Sequence, residues 1–281
     1  MSTEWAQSGG TIGPTNAEKP DHGLYPKKPK RDPVLVIVGV VGAVFFIFCL
    51  VQLNFDYSLL FSGTLKFLQS FTYMFPPNAS EWRHVLAAAL ESLQIAIVGT
   101  ALAVVFSFVL SFLAAENVSP RTAWFFKGFA SFLRVVPTLV WALIFIVAVG
   151  MGPLPGILAI FTHAAGMLVK VFSQSIEEID DGVLEALRAT GAGWSQIMLQ
   201  GVLPSVITSF LAWSVFRLEA DIGESSILGV VGAGGIGWEI ANAMRAYEFD
   251  TAFFVALVIF AMVFSVEFFS NRLKIHIRKK V

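Results

Sequence analysis

Apolar runs of about 20 residues recur along most of this chain and are separated by short polar stretches. A helix of that length spans the roughly 30 Å hydrocarbon core of a bilayer and satisfies its own backbone hydrogen bonds there. The pattern predicts an all-α, polytopic membrane protein with about six transmembrane helices. The predicted spans are residues 34–53, 85–115, 129–149, 157–172, 203–222 and 251–269.

The stretches outside these spans carry further predictions. Residues 1–33 are polar and rich in Gly, Pro and Lys, which predicts a disordered cytoplasmic tail before a membrane domain of residues 34–281. Residues 59–75 are only moderately apolar and favour an interfacial helix. Small residues recur every four positions in the second span, which predicts close helix packing along two stripes: Gly99, Ala103, Ser107 and Ser111, and Ala88, Ser92 and Ala96.

The composition supports a membrane protein and excludes several functions. The chain is 56% hydrophobic and 14% charged, whereas soluble domains contain about 25% charged residues. The net charge of −1 says nothing about nucleic-acid binding, but the sequence has no basic stripe outside the tails, so we expect no nucleic-acid partner. The single Cys49 and four scattered histidines predict neither an internal disulfide nor a metal site. No nucleophile–base arrangement can be identified, so we expect neither enzymatic activity nor a cofactor held by this chain.

The distribution of basic residues predicts the orientation. The proposed outer loops hold only Lys66, Arg83 and Arg245. The positive-inside rule therefore places both termini in the cytoplasm. The basic residues of the proposed inner regions are Lys27, Lys28, Lys30, Arg31, Arg121, Lys127, Arg272, Lys274, Arg278, Lys279 and Lys280.

Residues 180–204, named the elbow here, form a polar interruption between two apolar spans. Good helix formers precede Gly191, and glycine tolerates the left-handed conformation that ends helices, so the elbow is predicted to be two short helices broken at Gly191. Its other boundary signals are a capping carboxylate, a hydroxyl that can restart the helix and a proline at the start of the next span: Asp180 or Asp181, Ser195 and Pro204.

Residues 223–250, named the glycine segment here, contain the pattern G-x-G-x-x-G in residues 232–237. In dinucleotide-binding proteins that pattern follows a strand and opens the helix of a βαβ unit. Here it follows a transmembrane run, which favours a tight re-entrant turn beside a pore, with a short helix over residues 236–244. The glycines assigned to the pore side are Gly232, Gly234, Gly235 and Gly237.

Three charged residues occur in the fifth span: Arg217, Glu219 and Asp221. Charges inside a membrane span are costly and frequently functional. Arg217 and Asp221 are four residues apart and can pair on one helix face, whereas Glu219 points about 200° away from Arg217. Two interpretations remain open: the three side chains pair or snorkel at the outer rim, or they contact a passing anion or form a gate.

The elbow resembles a known motif. Glu185 and Ala186, Gly191 six residues after the glutamate, and Leu203-Pro204 resemble the EAA loop of ABC-importer permeases. The chain departs from that motif at two positions, since Leu187 replaces the third alanine and Gly201 replaces an apolar residue. With the glycine segment included, residues 75–275 resemble the permease of phosphonate ABC importers.

The resemblance implies a type I importer permease fold in the bacterial cytoplasmic membrane. It implies a homodimer, two ATPase subunits that bind ATP and Mg, an extracytoplasmic phosphonate-binding protein, and uptake of phosphonates, phosphite or phosphate esters. Family members generally carry a basic residue near position 223, where this chain has Gly223 followed by Glu224. The residues implied in ATPase coupling are Glu185, Ala186, Leu187, Arg188, Ala189 and Gly191.

Two other functions remain open. Permeases for other small solutes, such as methionine or glycine betaine, share the elbow and a similar glycine-rich segment. An ion-driven secondary transporter would work without an ATPase and usually consists of inverted repeats with ion-binding carboxylates. The sequence contains no convincing internal repeat, which favours the ATP-driven importer.

Overall fold

A computed structural model describes residues 33–53 and 57–278. The predicted disordered tail lies outside the described residues except for Pro33. The described part contains helices and no strand, which confirms the all-α prediction. Its helices are α1 (Pro33–Gln52), α2 (Tyr57–Met74), α3 (Trp82–Ala114), α4 (Ala123–Val135), α5 (Thr138–Val149), α6 (Pro153–Glu177), α7 (Asp181–Ala189), α8 (Trp194–Gln196), a π-helical turn (Ile197–Val202), α9 (Leu203–Leu228), a 3-10 turn (Gly229–Val231), α10 (Ile236–Arg245) and α11 (Phe249–Arg278).

The described residues divide into two units, with the boundary between Thr64 and Leu65. In the first unit, α1 is a 20-residue helix whose described side chains are mostly exposed and apolar. Its length and composition suffice to cross a membrane. By contrast, α2 does not reach the hydropathy of a span, in keeping with the predicted interfacial helix.

Five segments are long and apolar enough to cross a membrane, and a sixth is possible if α4 and α5 together form one bent span. The five are α1, α3, α6, the segment Trp194–Val231 that includes α9, and Phe249–Arg272 within α11. The prediction of about six spans is therefore confirmed when the bent pair is counted as one.

The prediction of one continuous third span over residues 129–149 is wrong. The chain bends by 86° between α4 and α5, at Val136 and Pro137. Proline lacks the N–H that a continuing helix needs, and it disfavours helical backbone at the residue before it. At 1.5 Å per residue, α5 is only about 18 Å long, so it is too short to span a bilayer alone.

Three other spans are longer than predicted. α6 extends from Pro153 to Glu177 because its two prolines occupy the first helical turn, where a missing N–H costs little. α9 continues past residue 222 to Leu228, and α11 begins at Phe249. The extension of α9 places Arg217 and Asp221 well inside a helix instead of at its end.

The core of the second unit forms where α3 and α6 pack together, with α4, α5 and α9 against α6. All seven residues of the two predicted small-residue stripes in α3 are buried, which confirms their packing role. At Gly99 the approach is so close that an added Cβ would lie 2.8 Å from Cγ2 of Ile160. The lack of a side chain at Gly99 thus lets α3 pack directly against the Ile160 side chain of α6.

We expect Gly99→Ala to lower the free energy of unfolding by about 1–2 kcal/mol, because overpacking against Ile160 outweighs the gain in helix propensity. The measurement is unfolding of the purified protein in detergent micelles. Gly128→Ala in α4 is the matched control, since an added Cβ there meets nothing within 4 Å. Equal unfolding free energies for the two variants would contradict the close α3–α6 contact.

Candidate functional site

The elbow folds as two helical pieces, as its sequence predicts. The Asp180 side chain accepts a hydrogen bond of 2.7 Å from the backbone N–H of Gly182, so Asp180 is the N-cap of α7. α7 ends at Ala189, and Gly191 follows with a φ of 78°, a left-handed conformation that favours glycine. The predicted helix break at Gly191 is confirmed.

The restart of the helix differs slightly from the prediction. α8 begins at Trp194, so Ser195 lies inside it instead of capping it. The backbone N–H of Gly193 donates to Oε1 of Gln196 at 2.9 Å. At the start of α8 the side chain that accepts a backbone hydrogen bond is therefore a glutamine and not a serine. Helical backbone then continues through the π turn into α9, with Pro204 in the first turn of α9 as predicted.

α7 has one face against the bundle and one exposed face. Leu184 is buried and Leu187 packs beside it, against a cluster that includes Ile197, Met198 and Val202. Leu187, one of the six residues assigned to coupling, therefore contacts its own bundle. The other five are exposed: Glu185, Ala186, Arg188, Ala189 and Gly191.

Hydrogen bonds fasten the elbow to the end of α6. Arg188 Nη2 donates to the backbone oxygen of Asn117 at 2.9 Å, and Asn117 Nδ2 donates to the backbone oxygen of Ile176 at 2.9 Å. Beside them, Lys127 Nζ lies 2.6 Å from Glu116 and 2.8 Å from Glu177. The loop after α3 thereby connects α7 with α6, and we call this side of the molecule the elbow end.

The two charged residues that are buried among the described residues, Arg217 and Asp221, belong to a cluster on α9. Arg217, Asp221 and Glu224 lie on one helix face, and their side chains are 5%, 0% and 30% exposed. Arg217 Nη2 donates to Oδ1 of Asp221 and, at 3.1 Å, to Oε2 of Glu224. The predicted pairing of Arg217 with Asp221 is confirmed, and burial of both side chains excludes snorkelling at a rim.

Two threonines complete this charge cluster from neighbouring helices. Thr100 of α3 donates to Oδ2 of Asp221 at 2.6 Å, and Thr138 of α5 donates to Oε2 of Glu224 at 2.7 Å. The cluster therefore links three helices through two carboxylates and one guanidinium. Nε of Arg217 is buried and has no hydrogen-bond partner among the described residues.

Only the Arg217–Asp221 pair of this cluster is predicted from the sequence. Glu219 points to another side, as predicted, where Ser270 of α11 donates to its Oε2 at 2.9 Å. Glu224 was missed as a member, although its spacing of seven residues from Arg217 returns it to the same helix face. No sequence signal marked Thr100 or Thr138, because their roles depend on which helices become neighbours.

The glycine segment forms the predicted turn followed by a short helix, α10. Gly232, Gly234 and Gly235 have φ values of 94°, 81° and 81°. Ser92 Oγ accepts a hydrogen bond of 2.9 Å from the backbone N–H of Ile236, and a Cβ added to Gly235 would lie 2.2 Å from the same Oγ. A Cβ added to Gly234 would lie 2.8 Å from Oε1 of Glu91 in α3, whereas one added to Gly232 would lie 3.4 Å from the Met151 side chain. Gly234 and Gly235 therefore pack the turn against α3, and Gly232 packs it against the loop before α6.

Gly237, the fourth glycine assigned to the pore side, also lies at a close backbone contact. A Cβ added there would lie 2.0 Å from the backbone oxygen of Ser226 in α9. A larger residue would therefore push α10 away from α9. We call this side of the molecule, with the turn and α10, the glycine end.

A cavity of about 360 Å³ opens at the glycine end, between the start of α3, the loop before α6, the glycine turn and α10. Its ionisable lining residues are His84, Glu91 and Glu239, with His84 Nε2 3.2 Å from Oε1 of Glu239. No lysine or arginine lines it. Nor does the described part of the chain contain a group of three residues able to hold a metal ion.

Comparisons with known proteins agree with this architecture. The chain is 37% identical over 243 residues to a phosphite transport system permease protein of Stutzerimonas stutzeri, covering 86% of this chain and 88% of the relative. It is 36% identical over 217 residues to a phosphate-import permease protein of Mycolicibacterium smegmatis, covering 76% of this chain and 41% of the relative.

The fold is also similar to a solved structure of an inward-facing methionine ABC transporter, MetNI. The TM-score is 0.62 at 20% sequence identity, covering 71% of this chain and 99% of the matched chain. A family model described as the inner membrane component of binding-protein-dependent transport systems matches residues 107–279. Several apolar helices and this match make it a multi-pass membrane protein, and the chain belongs to the family of binding-protein-dependent transport system inner membrane components.

Proposed function

We propose that this chain is the membrane-spanning subunit of an ATP-driven importer for phosphonates, or for the related phosphite and phosphate esters. The observation that carries the proposal is the geometry of the elbow. α7 presents an exposed face at one end of the bundle, and helical backbone continues from α8 into α9. Similarity to the phosphite and phosphate permeases supports a phosphorus oxyanion as the solute.

In this proposal the exposed face of α7 docks on a separate ATPase subunit. Glu185, Ala186 and Ala189 are exposed and form the contact, with Gly191 ending the helix beside them. Arg188 keeps α7 attached to the end of α6 through Asn117. When the ATPase subunits close around ATP, each elbow moves as a rigid body and turns the helices attached to it, which opens the pore to the other side.

The partners follow from that mechanism. Two copies of this chain form the pore, and each copy docks on one ATPase subunit, where ATP and Mg are bound and hydrolysis occurs. An extracytoplasmic binding protein delivers the solute at the glycine end. The elbow and both termini then face the cytoplasm, an orientation supported by the basic residues predicted on that side. This chain itself acts as a conduit and not as an enzyme.

We assign the charge cluster on α9 to a gate. Arg217 already has two carboxylate partners, so a passing oxyanion can reach it only when the partly exposed Glu224 moves away. Such indirect contact is weak, as conduction requires, because a tightly held solute would not be released. Glu219 and the packed glycines Gly232, Gly234, Gly235 and Gly237 then shape the path from neighbouring positions.

Position 223 bears on the substrate. A Cβ added to Gly223 meets nothing within 4 Å, so packing around the backbone does not by itself require glycine where the resembled family generally carries a basic residue. Its absence, together with Glu224, favours a second candidate: a permease for another small solute, such as methionine or glycine betaine. The structural similarity to a methionine transporter is compatible with that alternative.

Uptake measurements distinguish the two candidates. We expect cells that carry the gene to accumulate labelled methylphosphonate or 2-aminoethylphosphonate, and cells that lack it to accumulate much less. Excess phosphite or phosphate ester should compete, whereas methionine should not. Uptake that is independent of the gene, or blocked by methionine alone, would refute the phosphonate assignment.

We expect Gly191→Asp to leave the protein inserted in the membrane but to uncouple ATP hydrolysis from uptake. A side chain is strained at a φ of 78°, and a carboxylate at the C-terminal end of α7 is unfavourable for the helix dipole. The measurement is uptake per ATP hydrolysed in proteoliposomes. Gly193→Asp is the control, because it adds the same charge at an N-cap that favours carboxylates. Normal coupling in Gly191→Asp would contradict the role of the elbow.

For the gate, we expect Asp221→Leu to lower the free energy of unfolding by about 3–5 kcal/mol, because Arg217 then loses its closest buried partner. The double variant Arg217→Met/Asp221→Leu removes both charges and should recover most of that loss. Unfolding in detergent measures both effects. A double variant no more stable than Asp221→Leu would show that the pair is not the main interaction at this site.

A further inference from the structure

We infer that Leu187 and Gly201 form the contact through which movement of the elbow reaches α9, and that Leu187 is a positioning residue and not part of the ATPase docking surface. The inference rests on the proposed function, since it concerns how an ATPase-driven movement enters the bundle. Leu187 lies on the inner face of α7, and Gly201 lies in the π turn that precedes α9.

The two residues fit as a knob into a hole. A Cβ added to Gly201 would lie 2.2 Å from Cδ1 of Leu187 and 3.6 Å from its Cγ. A side chain at position 201 would therefore have to displace this leucine methyl from the place where it packs. The backbone conformation of Gly201 does not itself favour glycine, because its φ is not positive. The preference for glycine at this position comes from the contact with Leu187.

The same two positions are where this chain departs from the elbow motif that it resembles. The motif has a small residue where this chain has Leu187, and an apolar residue where this chain has Gly201. Each departure alone would leave a void or a clash. Taken together they exchange a large and a small residue across one contact, which conserves the packed volume.

The surroundings of this contact make it rigid. Leu184, one turn earlier on α7, is 1% exposed, and Val202, next to Gly201, is fully buried. Both belong to the cluster against which Leu187 packs. Closely packed interiors transmit displacement. α7 is packed into this cluster through Leu184 and Leu187, whereas its Arg188 hydrogen bond to Asn117 is exposed. A push on α7 thus reaches the π turn through Leu187, with Leu184 beside it.

The first test is a double-mutant cycle on uptake per ATP hydrolysed, in proteoliposomes that contain the assembled transporter. The variants are Gly201→Val, Leu187→Ala and the two combined, which removes and adds the same number of side-chain carbons. We expect each single variant to lower the ratio by about tenfold, because one overpacks and the other empties the contact. The combined variant should return to within about threefold of wild type. Gly128→Val in α4 is the control for a valine where space is free.

A second readout does not depend on any solute or partner. The peptide bond after Arg188 lies in α7, where the helix and the Asn117 contact hinder trypsin. Limited proteolysis of purified protein should release the fragment that ends at Arg188 faster in Gly201→Val and Leu187→Ala than in wild type, and at the wild-type rate in the combined variant. Mass spectrometry identifies the fragment.

The outcomes separate this inference from the proposed function. If the wild-type transporter takes up none of the phosphorus compounds, the substrate proposal fails, yet the proteolysis cycle still decides the role of the contact. If the combined variant is cleaved and uncoupled as strongly as the single variants, or if both single variants match wild type, the inference is overturned. If Gly201→Val does not reach the membrane, Gly201→Ala takes its place, and we expect the coupling ratio and the cleavage rate to change in the same direction.

Discussion

A buried carboxylate constrains how the central helices of this protein pack against one another. Asp221 is fully buried, and a charge in such a place is tolerated only with a paired charge and satisfied hydrogen bonds. Those partners come from α9 itself and from Thr100 of α3, while the adjoining Glu224 is held by Thr138 of α5. The rotation of α9 relative to two neighbours is therefore fixed by electrostatics, and apolar packing alone would not specify it.

Close backbone approach is the second condition for this arrangement. α3 and α6 meet at Gly99, α6 meets the glycine turn at Gly156, and α10 meets α9 at Gly237. At each place an added Cβ would lie under 3 Å from its neighbour. In a membrane, where burial of apolar surface gives little drive for helices to associate, such proximity supplies dispersion contacts and brings the polar partners within hydrogen-bonding distance.

Features encoded locally could be predicted from the sequence. Hydropathy located the spans, glycine located the break at Gly191 and the turn before α10, and spacing paired Arg217 with Asp221. Features that depend on neighbouring segments could not be predicted in this way. The proline at position 137 is compatible with either a kinked helix or a loop, so the sequence does not predict the size of the bend. The packing of Leu187 toward the bundle depends on Gly201 in the π turn. Glu224 lies between these cases, because its spacing was visible but its partner from α5 was not.

The π turn before α9 has an evolutionary consequence. Such a turn holds roughly one residue more than an α-helical turn, and one residue corresponds to a rotation of about 100° about the helix axis. Loss or gain of a single codon within residues 197–202 would therefore turn the whole of α9 relative to α7 while leaving every side chain in α9 unchanged. Such a rotation would separate Asp221 from Thr100 and Glu224 from Thr138, so an insertion or deletion in this turn is tolerated only together with new partners for the buried charges.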